Sequence, residues 1–395
     1  MPVKTKELIM FFANKQYIRI EPVLTCWLSH DFQYRFIQGV KLMAGKVVAI
    51  DIGSKNIHIA EGFQKGNTVE IERLAQLATP TNSYIEGRIE DRQVLKEVIR
   101  NGLAQNHIKS RNVALSMQGA SVLTRELVLP EVKKELMHGM VRYEMEQYIP
   151  DAITGYIVEF RVLGTVIEAG NKKMRIRAAA MPRDLVQDYF TMLRELKLKP
   201  VALDIHLNAI SKLFGSSAEI NALDKYSPDR TVAVIDFGHR NTVINIISNG
   251  IIEFSRPVSY GSRDLDTAIA GFYDIPIEKA EQKKMEELMI EKPDSRTDAG
   301  NGIFESARSL LQQWMSELHK VFQYYLSRNQ KNKLGALYLY GGGSRLKGLP
   351  EYMKQLLDVN TVIRVNSLDS VRFTNEAQEP DIGNYLNAIG ALIRL

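Results

Sequence analysis

Two stretches of this chain share one pattern of apolar and polar positions. Val47-Val48-Ala49-Ile50 and Val232-Ala233-Val234-Ile235 are short apolar runs. Each opens directly onto Asp-x-Gly-x-(Lys/Arg)-Asn. The first copy reads Asp51-Ile52-Gly53-Ser54-Lys55-Asn56 and the second Asp236-Phe237-Gly238-His239-Arg240-Asn241. A β-rich run follows each, Ile57-His58-Ile59-Ala60 and Thr242-Val243-Ile244-Asn245-Ile246. Strand, tight turn, strand is thus predicted twice at a domain-sized distance. Further strands are predicted at 68–77, 112–117, 121–128, 156–165, 173–181, 201–204, 251–258 and 337–340. Helices are predicted at 91–105, from Pro130 to Pro150, at 183–196, 206–214, 303–329 and 386–395. Two more are placed after Ser262, as N-cap, and from Pro276. Apolar residues at helical spacing give three inward faces. They are Val132/Leu136/Met140/Tyr143, Leu185/Tyr189/Met192/Leu196 and Leu311/Trp314/Leu318/Val321/Tyr325. The polar segment 225–230 reads as a linker, and 291–302 as a loop.

The chain's 395 residues allow two to three domains. With 45% hydrophobic and 25% charged residues it reads as a globular protein, and a net charge of +5 without an aromatic-laced basic stripe does not argue for nucleic acid. The single Cys26 excludes a disulfide framework and a cysteine metal site. No apolar stretch reaches the ~18 residues that span a bilayer. Residues 1–45 form an atypical N-terminal extension. Met43 is read as the initiator, with residues 1–42 non-native or dispensable; intact-mass analysis of the cellular protein tests this.

The repeated motif suits a nucleoside triphosphate. A buried strand carries each aspartate to its C-terminal edge, where α/β ligand sites form. The glycine allows a turn with φ > 0 and lets phosphate oxygens approach backbone N–H groups. The carboxylate is a hard ligand for Mg²⁺, directly or through water. A third element follows the predicted strand Leu337–Tyr340: Gly341-Gly342-Gly343-Ser344, three glycines against which adenine and its α-phosphate can lie flat.

In that order, hairpin, hairpin and glycine loop, the residues resemble the actin-like ATPase superfamily and, within it, the PilM family of type IV pilus assembly. The resemblance covers about residues 46–395. It extends to Tyr84-Ile85-Glu86-Gly87-Arg88-Ile89, to Glu144 with Tyr148-Ile149-Pro150, to Ala178–Pro182, to Ala280-Glu281-Gln282-Lys283-Lys284, and to Glu305 with Arg308. It implies two duplicated RNase H-like lobes, 1A and 2A, with inserted subdomains 1C and 2B around a nucleotide cleft. Subdomain 1A would be 46–118 and 181–227, with 1C at 119–180. Subdomain 2A would be 228–258 and 334–380, with 2B at 259–333, and 381–395 would return to 1A. Asp51 and Asp236 would hold Mg²⁺ through water. Gly53, Ser54, Lys55 and Gly238 would line the phosphates, within hairpins that end at Asn56 and Asn241. Gly341–Gly343, followed by Ser344, would face adenosine. Glu281 and Lys284 would face ribose and base.

The sequence departs from the family where Lys55-Asn56 interrupts a run of small hydroxyl residues and His58 replaces a later lysine. His206 falls where the superfamily orients the attacking water. Histidine serves that role poorly in phosphoryl transfer, so ATP binding with slow or absent turnover is expected. The resemblance also implies a partner, the cytoplasmic N-terminal peptide of PilN. That peptide would lie in a groove between 1A and 1C, for which Met117, Tyr148 and Tyr189 are candidates. Through PilN the protein would couple to PilO and the pilus motor, at the inner face of the membrane, with self-association open. The alternatives are an FtsA-like cell-division filament protein, expected to carry a C-terminal linker and basic amphipathic helix, and a sugar-kinase-like phosphotransferase, which needs a carboxylate base not evident here.

Overall fold

The structure, a computed structural model, describes residues 45–119, 121–222, 224–227, 230–290, 302–328, 333–357, 359–374 and 381–393. The expectations for residues 1–42, Cys26, Met43 and the loop at 291–301 lie outside these. The chain forms two compact units, one ending at Lys212 and resuming at Asn387, the other running Leu213–Leu386.

The first unit opens with β1 (Val47–Ile52), β2 (Asn56–Lys65) and β3 (Thr68–Ala78), an antiparallel meander. A small hairpin, β4 (Tyr84–Ile85) and β5 (Arg88–Ile89), leads to helix α1 (Arg92–Gln105). Asp91 caps α1 by accepting from Val94 N at 3.1 Å. β6 (Asn112–Met117) then lies parallel to β1. An insert follows, made of β7 (Leu123–Pro130), helix α2 (Lys134–Glu146), β8 (Tyr156–Glu168) and β9 (Asn171–Pro182). Helix α3 (Arg183–Glu195), β10 (Lys199–Ile205) and helix α4 (His206–Ser216) return to the main sheet. The strands that this unit contributes to it run in the order β10-β6-β1-β2-β3. Every residue of β1 is buried, as a strand covered on both faces requires. The α3 face read from the sequence is correct: Leu185, Tyr189, Met192 and Leu196 are all in the core.

The α2 face is not. Pro130 ends β7 instead of opening the helix, and Leu136 and Tyr143 are 60% and 67% exposed. The buried stripe is Met137, Val141 and Met145, on Ile176 and Ala178 of β9. Both stripes repeat at helical spacing, four, four and three for the expected one and four and four for the buried one, so periodicity alone did not choose between them.

The second unit repeats the main sheet. After β11 (Glu219–Ile220) and β12 (Asp224–Lys225) come β13 (Val232–Phe237), β14 (Thr242–Ser248) and β15 (Ile251–Val258), again an antiparallel meander. Helices α5 (Ser262–Tyr273), α6 (Ile277–Glu287) and α7 (Gly302–Arg328) precede β16 (Ala336–Tyr340), helix α8 (Leu349–Leu357) and β17 (Val362–Arg364). The order β17-β16-β13-β14-β15 matches that of the first unit, with β16 parallel to β13 as β6 is to β1. The α7 stripe is buried as expected. Gly261, not Ser262, is the cap of α5; its N–H donates to Asp264 Oδ2 at 2.8 Å. The division between units falls within α4 rather than at 227/228, because Phe214 and Tyr226 cluster with Tyr338 of β16, at 5.7 and 6.3 Å between ring centroids. No helix among the described residues is long and apolar enough to cross a membrane.

Candidate functional site

In the first unit, the β1–β2 turn is closed by Gly53 N donating to Asn56 O at 2.9 Å. In the second, Gly238 N donates to Asn241 O at 3.0 Å. The glycines are needed for closeness, not for φ > 0: neither is among the positive-φ residues, but a Cβ at Gly53 would stand 2.8 Å from the Asn56 carbonyl oxygen, and one at Gly238 2.7 Å from that of Asn241. Thr79 braces the first turn, donating from Oγ1 to Gly53 O at 2.7 Å. The start of α5 braces the second, with Ser262 N on Gly238 O at 3.0 Å and Arg263 N on His239 O at 2.9 Å.

Asp51 is 4% exposed, directly opposite His58 across the ladder and beside Ser116 in β6. His206, the first residue of α4, sets Nε2 at 2.7 Å from Asp51 Oδ1 and Nδ1 at 3.1 Å from Gln118 Oε1. Asn387 bonds the same carboxylate. Burial by itself would raise the Asp51 carboxyl. The His206 imidazole, then His58 and Asn387, outweigh it and hold the group below the ordinary 3.8. Asp204, next to His206, accepts from Asn208 Nδ2 at 2.7 Å and pairs with Lys212 Nζ at 2.6 Å. Lys212 also donates to Ile393 O at 2.7 Å, tying α4 to the C-terminal helix (Leu386–Leu392) and its last turn. Ser54 is half-buried, Lys55 exposed and Asn56 half-buried on the turn.

In the second unit β16 delivers the glycine loop beside the aspartate, Tyr340 pairing with Asp236. Gly341 takes φ 81°, a left-handed value that suits glycine, and a Cβ there would run into the Asp236 carboxylate. Gly343 is covered by Phe237. Only Gly342 has open space above it, so one glycine of the three, not all, offers bare backbone to a flat ligand. Ser344 turns inward, its Oγ donating to Gly341 O at 2.7 Å. Trp314 of α7 fixes the base of the hairpin through Nε1 to Thr242 Oγ1 at 3.0 Å.

Glu281 is half-buried on α6, while Lys284 is 7% exposed and bound to Asp266 at 2.7 Å and to Ser262 O at 3.2 Å. Lys284 therefore reaches the hairpin through Ser262 and is committed to an ion pair, not presented as a free cation. Of the groove candidates, Met117 and Tyr189 are corrected to core residues; the Tyr189 hydroxyl is shared with Tyr84 Oη at 2.8 Å and Gly87 O at 2.7 Å. Tyr148 alone is exposed, with the Arg125 guanidinium over its ring. Gln118, Asn387 and Thr79 were missed, each far in sequence from the residue it serves and without a motif of its own. Arg240, the counterpart of Lys55, was readable from the signature and overlooked. It is half-buried, its Nε without an acceptor among the described residues.

The model of the family described as type IV pilus assembly protein PilM matches residues 49–394. A solved PilM-PilN type IV pilus biogenesis complex is similar at a TM-score of 0.73 and 23% identity, over 88% of this chain and 98% of that one. The ethanolamine utilization protein EutJ from Carboxydothermus hydrogenoformans is similar at a TM-score of 0.52 and 16% identity, over 89% of this chain and 90% of that one. The duplicated sheets and these likenesses make the fold that of the actin-like ATPases.

Proposed function

The chain belongs to the family of type IV pilus assembly protein PilM, and from that premise we propose that it is an ATP-binding scaffold which takes the N-terminal cytoplasmic peptide of a PilN-type membrane protein. The observation that carries the nucleotide reading is the pair of identically closed turns, Gly53–Asn56 and Gly238–Asn241, each following a strand that ends in aspartate. Backbone N–H groups of such turns suit phosphate oxygens, and Lys55 and Arg240 add positive charge to them. Gly342 leaves room for adenine. Among the described residues no group of three or more His, Cys, Asp or Glu side chains gathers to hold a metal. Asp51 and Asp236 are the carboxylates that would accept from the waters of a Mg²⁺ brought in by the nucleotide.

Both ring nitrogens of His206 face protein acceptors, Asp51 and Gln118. This supports a site that holds ATP without rapid hydrolysis, since the residue at the water-orienting position is turned onto its own carboxylate. The PilN reading follows from family membership and from what the similar solved complex is named for. At the membrane face the protein would then be held by its partner and linked through it to PilO and the motor. Two titrations test this: a fluorescent ATP analogue with Mg²⁺, and a labelled PilN-type N-terminal peptide from the same genome, with and without ATP. Binding of both supports the scaffold. Failure of the peptide in either state removes the PilN reading, failure of the nucleotide removes the ATP reading, and turnover at a motor ATPase's rate removes the holding role.

A further inference from the structure

The outer side of α2 is used by neither the nucleotide nor the PilN reading. Met137, Val141 and Met145 pack the helix onto the sheet β7-β9-β8. On the side turned away from that sheet, Leu136 and Tyr143 stand exposed two turns apart, with half-buried Met140 between them. Gly139 is exposed in the middle of the same stretch, and a Cβ there would meet nothing within 4 Å. Alanine would fit and would favour the helix, so the missing methyl serves no packing among the described residues. What it supplies is a low point between Leu136 and Tyr143, where a second helix can come close.

Charged residues border this stripe. Lys133, the N-cap of α2, falls on one border with Met140 and Glu144, at spacings of seven and four; Glu146 falls on the other with Gly139, at seven. The side chains of Lys133, Glu144 and Glu146 make no hydrogen bond or ion pair among the described residues. The last turn of α2 holds no basic residue, so both carboxylates sit where the helix dipole disfavours negative charge. An ordinary helix has the complementary arrangement, acidic at its start and basic at its end. Laid parallel to α2, such a helix sets its acidic turn on Lys133 and its basic turn on Glu144 and Glu146, roughly 16 Å along the axis. A second copy of α2 laid antiparallel would bring Lys133 to Glu144 and leave Glu146, on the other border, without a cation. We propose that the outer face of α2 docks an amphipathic helix of a partner protein, running parallel to α2, with an acidic first turn, an apolar stripe over Gly139 and a basic last turn.

The probe is a fluorescein-labelled peptide of about fifteen residues, with two Glu in its first turn, Leu at helical spacing and two Lys in its last, titrated by anisotropy against the full chain. A control peptide has the two charged turns exchanged. ATP and PilN binding play no part, so failure of either leaves the helix site standing. The wild type is expected to prefer the first peptide about tenfold, and the triple variant Lys133→Glu, Glu144→Lys, Glu146→Lys to prefer the control. Tyr143→Ser is expected to lose about tenfold in affinity while melting with the wild type, because its ring is exposed. Gly139→Ala is expected to melt higher and to bind more weakly. Equal affinity of the wild type for the two peptides overturns the proposal, as does an unchanged affinity in Tyr143→Ser. So does a lower melting temperature for Tyr143→Ser, which would make the ring structural. A dimer in sedimentation equilibrium that Tyr143→Ser dissolves gives the face to a second copy, and release of the bound probe by a PilN-type peptide gives it to that peptide; either result overturns the proposal too.

Discussion

The two hairpins share a backbone and differ in what surrounds their aspartates. Asp51 is sealed under His206 and Asn387, while Asp236 is half-buried against Gly341. Duplication preserved the turn, including the carbonyl oxygen that excludes any side chain at Gly53 or Gly238. It did not preserve the chemistry next to it. The first unit gathers His206 and Asn387 around its carboxylate, and the second brings Gly341 so close to its own that a Cβ there would collide with it.

The sharpest break in this comparison comes from the buried ion pair behind His206. Lys212→Ala leaves Asp204 charged and 1% exposed, and is expected to cost about 3–5 kcal/mol in urea denaturation. If the first unit's site depends on that network, ATP affinity falls with it even where the variant remains folded. Gly341→Ala attacks the other half, forcing a left-handed φ on an alanine whose Cβ meets Asp236; about 1–3 kcal/mol of strain is expected, with ATP binding lost in calorimetry. Gly342→Ala, with open space above it, should leave stability unchanged and weaken only the nucleotide. An equal loss of stability in both variants would erase the distinction drawn between these glycines. Tyr189→Phe removes a hydroxyl shared with Tyr84 and the Gly87 carbonyl, for about 1 kcal/mol.

The smallest effect is a matter of pH. The Asp51 carboxyl is lowered in the folded protein, so its contribution is present above 3.8 and lost as pH falls through the folded value. His206→Ala removes the main lowering influence and leaves burial to raise the group. The stability gap between wild type and variant is therefore expected to be open at pH 7 and to close below about pH 3.8, which denaturation at pH 7 and pH 3 would measure.

The sequence disclosed those parts whose cause is local. Apolar runs meeting Asp-x-Gly placed both hairpins, and an apolar run meeting three glycines placed the loop after β16. The stripes of α3 and α7 were legible because their outward faces are polar. α2 has apolar residues on both faces, and no pattern within it says which meets β9. The partners of Asp51 come from Gln118, His206 and Asn387, three segments that only the folded sheet gathers. Family resemblance placed His206 where the superfamily orients the attacking water, a role histidine serves poorly; that its Nε2 lies 2.7 Å from Asp51 Oδ1 could be read only from the fold. The glycine of each hairpin was expected for the wrong reason, since the turn needs its lack of a side chain rather than its left-handed freedom.

Asn387 reaches Asp51, and Ile393 O accepts from Lys212. The first unit is begun near residue 45 and finished only by residues 387–393, with the whole second unit between. On the ribosome, at ~5–20 residues per second, the early segment must wait roughly 10–35 s for the residues that close it. Asp51 spends that interval without Asn387, and Lys212, the partner of Asp204, without the Ile393 carbonyl.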